Sequence, residues 1–514
     1  MSVRIASARS IALLGLEGHA VDVEAHVGRG LVGFTLVGLP DASLREAKDR
    51  VRSALQSAEL EVLDERITVN LSPAGLPKSG SGFDLAIAMA ILAASSRIDP
   101  DALAGAVLIA ELGLDGGLRP VRGVLPAVAA AKRIGAGRVI VPESCATEAA
   151  LVTGVEVLGF AHLADVVVWA GGRATRPRLL EPSRAPVEAS PAPKDDGRDL
   201  EDVRGQDGAV DALEVAAAGG HHLFLIGEPG AGKTMLASRL PSILPPLDDV
   251  TALESTALHS LAGALSEDSG LLRTPPFQAP HHSVTMPALV GGGSGIAVPG
   301  AASLAHGGVL FLDEAAEFSP SVLDALRQPL EERSITIHRS RGRACYPAAF
   351  QLVLASNPCP CGRSGTRACR CTSLQRRRYL SRLSGPLLDR IDITARVRQP
   401  TRADLRASRS RSSAEVRERV EGARARSAAR LEGTGWSFNA QLPGPWIRRS
   451  SGIPERFVER LDRAVDERIL SMRGADRVLR LMWTLADLAG RAAPDEEDLA
   501  RALALRNGGP HADL

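Results

Sequence analysis

The pattern of apolar and polar positions divides the first third of the chain into short segments of strand and helix character. Residues 21–27 alternate apolar and polar side chains, whereas residues 43–57 repeat at helical spacing behind a serine suited to a helix N-cap. This alternation predicts a mixed α/β domain. Further strand and helix candidates follow at residues 67–71, 83–94, 106–110, 124–134 and 138–141.

A different pattern begins near residue 200. A helical stretch at residues 208–218 precedes three almost wholly apolar runs, at residues 222–226, 308–312 and 350–355. Continuous apolar runs are typical of strands that are buried on both faces, so they predict a parallel sheet covered by helices. From Thr401 onward, helical spacing dominates.

A segment rich in proline, serine and charge separates these two regions. Because such a composition buries little apolar surface, it predicts an extended linker. We therefore divide the chain into an α/β domain (residues 1–175), a linker (176–198), a parallel-sheet core (199–400) and a helical lid (401–514).

The overall composition is that of a water-soluble globular protein. The 514 residues are 45% hydrophobic, and a net charge of +1 does not by itself indicate a nucleic-acid partner. The apolar stretch at residues 11–16 is too short for a signal peptide, and the run at 85–94 is too short to span a bilayer. We expect a cytoplasmic protein with no membrane partner and with reduced thiols.

A glycine-rich turn with the pattern G-x-x-x-x-G-K-T lies between the first apolar run and a helical stretch. In such a turn, backbone N–H groups converge on phosphate oxygens at a helix N-terminus. We predict that ATP binds here, with Lys233 on the β- and γ-phosphates and Thr234 ligating Mg²⁺. The predicted binding residues are Gly227, Glu228, Pro229, Gly230, Ala231, Gly232, Lys233 and Thr234.

Polar residues end the other two apolar runs. Asp313 and Glu314 end the second run, and together with the glycine-rich turn they predict a Walker B pair. Asp313 would complete the Mg²⁺ shell, and Glu314 would polarise the attacking water. Asn357 ends the third run and would orient that water from a position between the other two strands, unless it only begins an exposed turn.

Four cysteines lie within thirteen residues, as two C-x-C pairs. Four thiolates can enclose one tetrahedral Zn²⁺ and leave no open position for water, so the predicted role is structural. Reduced free thiols or a redox switch are the alternatives. The predicted ligands are Cys359, Cys361, Cys369 and Cys371.

Two features indicate an anionic partner. Residues 331–350 alternate around a basic, glycine-containing turn, which predicts a β-hairpin with a cationic tip. Residues 359–430 hold 19 Arg or Lys against 6 Asp or Glu. Because aromatic residues are nearly absent there, apart from Tyr379, we expect contact with a phosphate backbone rather than base stacking. The chain has 56 Arg and 5 Lys, however, so a solvated arginine-rich turn is the alternative.

Several longer phrases of the second region resemble the magnesium-chelatase-like AAA+ ATPases, specifically the YifB/ComM group. The resemblance covers essentially the whole chain. It implies a hexameric ring that moves along DNA and remodels branched recombination intermediates, in a clade shared with the chelatase motor subunit and the minichromosome maintenance helicases. The phrases are residues 278–282 (QAPHH), 307–314 (GGVLFLDE), 357–362 (NPCPCG) and 383–392 (LSGPLLDRID).

The resemblance also implies roles for two arginines. Arg390 matches the arginine finger that reaches a neighbouring subunit's ATP, with an ion pair to Asp389 or Asp392 as the alternative. An arginine supplied in this way makes hydrolysis depend on ring assembly. Arg473 matches the sensor-2 arginine of the helical lid, although other arginines lie close to it in the sequence.

By the same resemblance, the basic hairpin occupies the position of a DNA-contacting pore hairpin. Arg339, Arg341 and Arg343 are then candidates for contact with phosphates. His281 and His282 lie in an insertion similar to the helix-2 insert of the clade. They would either face the DNA in the pore or brace their own loop.

The first domain resembles the proteolytic domain of the Lon proteases, which has a ribosomal-S5-like fold. The similar stretches are residues 76–85 and 119–126. Aligned without gaps, the nucleophilic serine falls at Gly82 and the catalytic lysine at Pro126, so the Ser–Lys dyad is missing. We expect a Lon-like domain without protease activity.

Together these features predict an ATPase that translocates on DNA, single-stranded or branched, as a helicase or branch-migration factor in recombination or DNA uptake. A protein-remodelling motor and a metal-chelatase motor subunit are the alternatives. The chelatase role would depend on a partner with a metal-ion adhesion site, and this chain has no D-x-S-x-S motif.

Overall fold

The structure is a computed structural model of the 514-residue chain. It describes residues 4–28, 30–38, 42–60, 65–78, 80–175, 197–265, 270–293, 297–339, 342–364, 369–407, 411–449 and 452–508. The predicted linker, residues 176–198, therefore lies almost wholly outside the described residues, and the division into domains stays a prediction.

The first region forms a mixed α/β layer, as the sequence predicts. Its strands are β1 (Arg4–Leu14), β2 (Glu17–Gly28), β3 (Gly33–Val37), β4 (Arg66–Ser72), β5 (Ala106–Leu108), β6 (Glu111–Leu112), β7 (Leu118–Arg119), β8 (Arg138–Pro142) and β9 (Glu156–Phe160). Its helices are α1 (Ala42–Ser57), α2 (Asp84–Ala94), α3 (Val124–Arg133), α4 (Ala146–Ala149) and α5 (Leu163–Trp169).

Within the described residues, seven of these strands form one sheet in the order β3-β4-β2-β1-β5-β8-β9. β1 and β2 form a long antiparallel pair, with Arg4 opposite Val27 and Leu14 opposite Glu17. Every residue of α2 is buried, since this apolar helix packs across β1 and β2. We did not predict β1 from the sequence, because its alanines and serines give a weak apolar alternation.

The second region contains the predicted parallel sheet. Its strands are β10 (Leu223–Gly227), β11 (Phe277–Gln278), β12 (Val309–Leu312), β13 (Ser334–Arg339), β14 (Gly342–Pro347), β15 (Gln351–Ser356) and β16 (Ile393–Val397). Its helices are α6 (Asp207–Gly219), α7 (Lys233–Ile243), α8 (Asp249–Ala262), α9 (Met286–Val290), α10 (Ala301–Leu304), α11 (Pro320–Asp324), α12 (Arg327–Glu332), α13 (Ser373–Leu380) and α14 (Gly385–Leu388).

The parallel sheet has the order β11-β12-β15-β10-β16, so β15 lies between β10 and β12. Every residue of β12 and β15 is buried, which accounts for their continuous apolar sequences. β13 and β14 form a separate antiparallel hairpin, which confirms the hairpin predicted from the sequence.

The rest of the described chain is helical, as predicted: α15 (Arg402–Ala407), α16 (Ser413–Arg430), α17 (Gly444–Arg449), α18 (Glu455–Asp466), α19 (Met472–Leu488) and α20 (Glu496–Asn507). α16 and α19 both pack on α6, and one apolar core joins these helices to the parallel sheet. A buried polar chain also joins them, because His221 contacts both Asp392 (3.1 Å) and Thr484 (2.8 Å).

The first region packs directly on the second. Ala257 of α8 is buried in a core made mostly of residues from α3, β5 and β8. The carboxylate of Glu148 accepts hydrogen bonds from Ser260 of α8 and from the backbone N–H of Leu125. The β1–β2 turn lies against the hairpin, where a Cβ at Gly15 would be 2.8 Å from the carbonyl oxygen of Cys345.

Candidate active site and cysteine cluster

The glycine-rich turn joins the end of β10 to the first turn of α7. Gly230 and Gly232 have φ values of 75° and 93°, in the left-handed region that favours glycine. At Gly227 a side chain is excluded for another reason, because a Cβ would collide with the carbonyl oxygen of Val397 in β16. The turn therefore wraps tightly around the N-terminus of α7, the geometry that binds phosphate groups.

Lys233 points back across this turn. Its Nζ donates to the carbonyl oxygens of Gly227 (2.8 Å) and Glu228 (3.0 Å) and to Oδ1 of Asn357 (3.1 Å). The side chain is buried, and burial lowers the pKa of its amine. The predicted phosphate-binding lysine and the predicted water-orienting asparagine are therefore in contact.

Two predicted Mg²⁺ ligands meet at the mouth of the turn. The Thr234 hydroxyl donates to Oδ2 of Asp313 at 2.6 Å, although 79 residues separate them. Asp313 Oδ1 accepts from the backbone N–H of Glu314 at 2.9 Å. Glu314 itself has φ 50° and ψ 43°, a left-handed conformation that is uncommon for residues other than glycine.

These groups line one cleft at the carboxyl ends of β10, β12 and β15, with a volume of about 420 Å³. Met235 and Ser356 also line the cleft. In the sequence, their only signal is that each lies next to a recognised motif. The lining residues are Pro229, Gly230, Ala231, Gly232, Lys233, Thr234, Met235, Asp313, Glu314, Ser356 and Asn357.

Arg390 and Arg473 are not among the described residues that line the cleft. Arg390 donates to the carbonyl oxygen of Pro386 (2.5 Å) and forms an ion pair with Glu331 of α12. The alternative raised from the sequence was an ion pair of Arg390 with one of its flanking aspartates. Arg390 pairs instead with Glu331, which lies 59 residues away. No sequence signal pointed to Glu331.

The flanking aspartates pair with other groups. Asp389 lies 3.9 Å from Arg473, which is 68% exposed. Asp392 is buried and pairs with Arg477 at 3.0 Å. The contact through Asp389 places Arg473 beside Arg390 in the fold, whereas Arg477 is enclosed in the packing between lid and core.

One of the two insertion histidines, His282, contacts the end of the Walker B strand. His282 Nδ1 lies 3.6 Å from Oε2 of Glu314, and the rings of His281 and His282 are 4.0 Å apart. The sequence predicts that these histidines lie in the pore insertion, but it gives no sign of the contact between His282 and Glu314.

The hairpin that carries the predicted DNA contacts is only partly described. Arg339 pairs in register with Gly342, and His338 pairs with Arg343. The Arg343 side chain is exposed. Arg341 lies outside the described residues.

The four cysteines converge. The Sγ of Cys359 lies 3.4 Å from that of Cys361 and 3.9 Å from that of Cys369, and the Cys361–Cys369 separation is 3.7 Å. With Cys371 included, all four Sγ atoms lie within 4.8 Å of one another. A tetrahedral ion with metal–sulfur bonds of about 2.3 Å separates its ligands by about 3.8 Å, so these thiols fit Zn²⁺.

The cysteine cluster also touches the phosphate-binding turn. Cys359 follows Asn357 by two residues, and Gly362 packs on Pro229. Gly362 has φ 73°, and a Cβ there would lie within 3.0 Å of Cδ of Pro229. The segment that carries the cluster therefore packs against Pro229, which lines the cleft, a contact that the sequence did not indicate.

Among the described residues, no Ser–Lys pair occupies the positions that align with the catalytic dyad of the Lon proteases. Gly82 and Pro126 occupy the aligned positions. The nearby Ser81 hydroxyl bonds to Glu111, and buried Lys78 donates to the carbonyl oxygen of Pro73.

A parallel sheet with a phosphate-binding turn, an Asp-Glu pair on a neighbouring strand and a helical lid defines a P-loop ATPase of the AAA+ type. The family "Magnesium chelatase, subunit ChlI" matches residues 199–405, and "Subunit ChlI of Mg-chelatase" matches residues 23–145. A third family, "Magnesium chelatase, subunit ChlI C-terminal", matches residues 410–506.

Curated relatives match over nearly the full length. Competence protein ComM of Haemophilus influenzae is 43% identical over 98% of both chains. YifB of Escherichia coli is 41% identical over 98% of this chain and 97% of its own. An uncharacterised protein of Mycobacterium tuberculosis is 48% identical over 97% of this chain and 98% of its own. The chain belongs to the magnesium-chelatase-like AAA+ family that includes ComM and YifB.

The Lon resemblance of the N-terminal region is also supported. Lon protease 2 of Bacillus subtilis is 29% identical over 143 residues, which is 27% of this chain and 26% of that protein.

Among the described helices, none is long and apolar enough to cross a membrane.

Proposed function

We propose that this chain is a cytoplasmic, ATP-driven motor that translocates on DNA as a homo-oligomeric, hexameric ring. In this role it acts as a helicase or branch-migration factor in recombination or DNA uptake. The observation that carries the proposal is the cleft that joins Lys233, Thr234, Asp313 and Asn357, in a chain similar over its full length to a competence protein.

Within the cleft, each side chain has a role that its position supports. Lys233 lies over the turn at the helix N-terminus, where it would bind the β- and γ-phosphates. The adjacent oxygens of Thr234 and Asp313 would hold Mg²⁺, which supplies positive charge to the phosphates. Glu314 would polarise the attacking water, and Asn357 would orient it.

Arg390 is proposed to reach a neighbouring subunit's ATP, and Arg473 is proposed to act as the sensor-2 arginine of the helical lid. Both lie outside the cleft of their own chain, and Asp389 brings them together. A positively charged group supplied by a neighbour stabilises transition-state charge and makes hydrolysis depend on assembly. Repeated head-to-tail contacts of this kind close into a ring.

The proposed DNA contacts are Arg339, Arg341 and Arg343 of the hairpin, with His281 and His282 of the adjoining insertion. The exposed Arg343 and the excess of arginine in residues 359–430 support contact with phosphates. Such contacts do not depend on base sequence, which suits a motor that moves along its track.

We also propose that Cys359, Cys361, Cys369 and Cys371 hold a structural Zn²⁺. The convergence of all four sulfur atoms supports this over the alternatives, which are reduced free thiols or a redox switch. Metal analysis of protein purified without added zinc should find about one Zn²⁺ per chain. Protein that is folded and active with no bound metal would exclude this role.

The experiment that tests the DNA proposal is the ATPase rate of the purified protein at fixed salt. We would compare no DNA, single-stranded DNA, duplex and a four-way junction, with Lys233→Ala as the inactive control. We expect stimulation by DNA, strongest with the junction, and loss of all activity in the variant.

A rate that no DNA changes, but that Lys233→Ala abolishes, would retain the ATPase and reject the DNA track. The family match to a magnesium-chelatase subunit makes a protein-remodelling or chelatase-type motor the second candidate in that case.

A further inference from the structure

The turn between β1 and β2 extends from the first region to the hairpin of the second. Gly15 begins this two-residue turn with φ 67°, a conformation that favours glycine. A Cβ at this position would lie 2.8 Å from the carbonyl oxygen and 3.1 Å from the amide nitrogen of Cys345 in β14. The turn therefore packs backbone against backbone on the hairpin, with no space for a side chain at Gly15.

Leu16, the second residue of the turn, continues this contact with its side chain. It packs on a small core whose buried members include Leu258 of α8 and both Ala344 and Tyr346 of β14. Ile337 of β13 packs against the same core. Both strands of the hairpin thus share a core with the turn of the first region.

Helix α8 fixes the first region to this small core. Ala257 is buried among residues of α3, β5 and β8, whereas the next residue, Leu258, belongs to the core beside the hairpin. Ser260 of the same helix donates to the Glu148 carboxylate, and its carbonyl oxygen accepts from the backbone N–H of Gly123 at 3.3 Å. The contact between the turn and the hairpin is therefore held in place by a second, independent attachment.

The hairpin depends on such contacts because no larger sheet holds it. Among the described strands, β13 and β14 pair only with each other. A two-stranded ribbon alone is only marginally stable in water. The orientation of the hairpin, and with it the direction of Arg339 and Arg343, therefore depends on packing against neighbouring elements, which include β1.

We propose that the β1–β2 turn, through Gly15 and Leu16, is a positioning element that holds the basic hairpin in the orientation in which it contacts DNA. An arginine whose backbone is already held in place loses less conformational freedom when it binds a phosphate. Neither turn residue is among the described residues that line the ATP cleft, so their effect falls on DNA binding rather than on ATP binding.

In this arrangement the Lon-like region supports the motor instead of cleaving protein. The role of DNA rests on the proposed function, whereas the support of the hairpin rests on contacts within this chain.

The test uses the full-length protein and two variants, each with a matched control. Gly15→Ala places a Cβ against Cys345. Its control is Gly105→Ala, because Gly105 lies in the same region with φ 70° and a Cβ there would meet nothing within 4 Å. Leu16→Ala removes the side chain that packs on the small core, and Leu114→Ala, at an exposed leucine of the same region, is its control.

The measurements separate support of the hairpin from binding of ATP. Amide hydrogen exchange of β13 and β14 without DNA reports how firmly the hairpin is held. Fluorescence anisotropy with a labelled four-way junction gives the Kd for DNA. Steady-state ATPase with and without the junction gives kcat and KM for ATP, and circular dichroism checks folding.

For Gly15→Ala and Leu16→Ala we expect amide exchange in the hairpin at least fivefold faster than in wild type. The Kd for the junction should rise at least fivefold, and the stimulation of kcat by DNA should fall toward onefold. Basal kcat and KM for ATP should stay within twofold of wild type, a separation that a general loss of stability would not produce. Both control variants should behave as wild type.

Unchanged amide exchange in the hairpin of both folded variants would overturn the inference, as would an unchanged Kd when the wild type binds the junction. An equal response of Gly105→Ala would also overturn it, since backbone strain alone would then explain the effect. If DNA neither binds nor stimulates the wild type while the hairpin of Leu16→Ala exchanges faster, the DNA track is rejected and the support of the hairpin is retained. The two failures are therefore distinguishable.

Discussion

Gly362→Ala tests whether the cysteine cluster supports the ATP cleft. Gly362 has φ 73°, so alanine there costs about 1–2 kcal/mol from the left-handed backbone alone. The new Cβ would also fall within 3.0 Å of Cδ of Pro229, part of a ring that has no rotamer with which to move away. Overpacking of this kind costs about 1–3 kcal/mol.

Gly490→Ala is the matched control, because Gly490 has φ 70° and a Cβ there would meet nothing within 4 Å. The backbone cost is thus common to both variants, and only the contact with Pro229 differs. Since Pro229 lies within the phosphate-binding turn, we expect the overpacking to distort the cleft. A displacement that costs about 1.4 kcal/mol of binding weakens ATP affinity about tenfold.

The assay is titration of a fluorescent ATP analogue with Mg²⁺ present, combined with a thermal melt. We expect Kd to rise at least fivefold for Gly362→Ala and less than twofold for Gly490→Ala. Equal affinities in two folded variants would show that the contact between cluster and cleft has no effect on nucleotide binding.

Three further predictions concern the buried ion pair and the cysteine cluster. Asp392→Asn leaves Arg477 buried without its charge partner, so we expect a loss of about 3–5 kcal/mol in urea unfolding, with the exposed pair variant Asp22→Asn as control. Burial alone would raise the pKa of Asp392, but the hydrogen bond from His221 and the charge of Arg477 hold it well below its usual value. The stability that the Asp392 carboxylate contributes is therefore present above about pH 4 and is lost as the pH falls further. If Asp392→Asn lost as much stability on acidification as the wild type does, this reasoning would be contradicted. Cys361→Ser should lower both the amount of bound zinc and the melting temperature. Cys345 lies outside the cluster, so Cys345→Ser should leave bound zinc unchanged and should shift the melting temperature by no more than a few degrees.

Much of the candidate site follows from local sequence. The turn that ends in Lys233 and the Asp313–Glu314 pair are recognisable because each follows a continuous apolar run. Such runs predict strands buried on both faces, and parallel strands bring their carboxyl ends to one edge of the sheet. The sequence therefore placed the phosphate-binding and Mg²⁺-binding groups on one edge without any knowledge of the strand order.

Weak periodicity limited the prediction elsewhere. β1 lies in the middle of its sheet, yet its sequence, RIASARSIALL, offers small residues where a strand signal needs large apolar ones. Its pairing with β2 comes from the short turn between them and from burial against α2, which no local pattern reports.

Three contacts around this site were decided by the tertiary structure. Glu331 instead of a neighbouring aspartate pairs with Arg390, Gly362 rests on Pro229, and His282 faces Glu314. In each case the partners are far apart in sequence. The residues next to each partner in the sequence therefore do not reveal which partner it contacts. Only packing of whole helices and strands brings such groups together, because local propensity acts over a few residues and these contacts span 32 to 133.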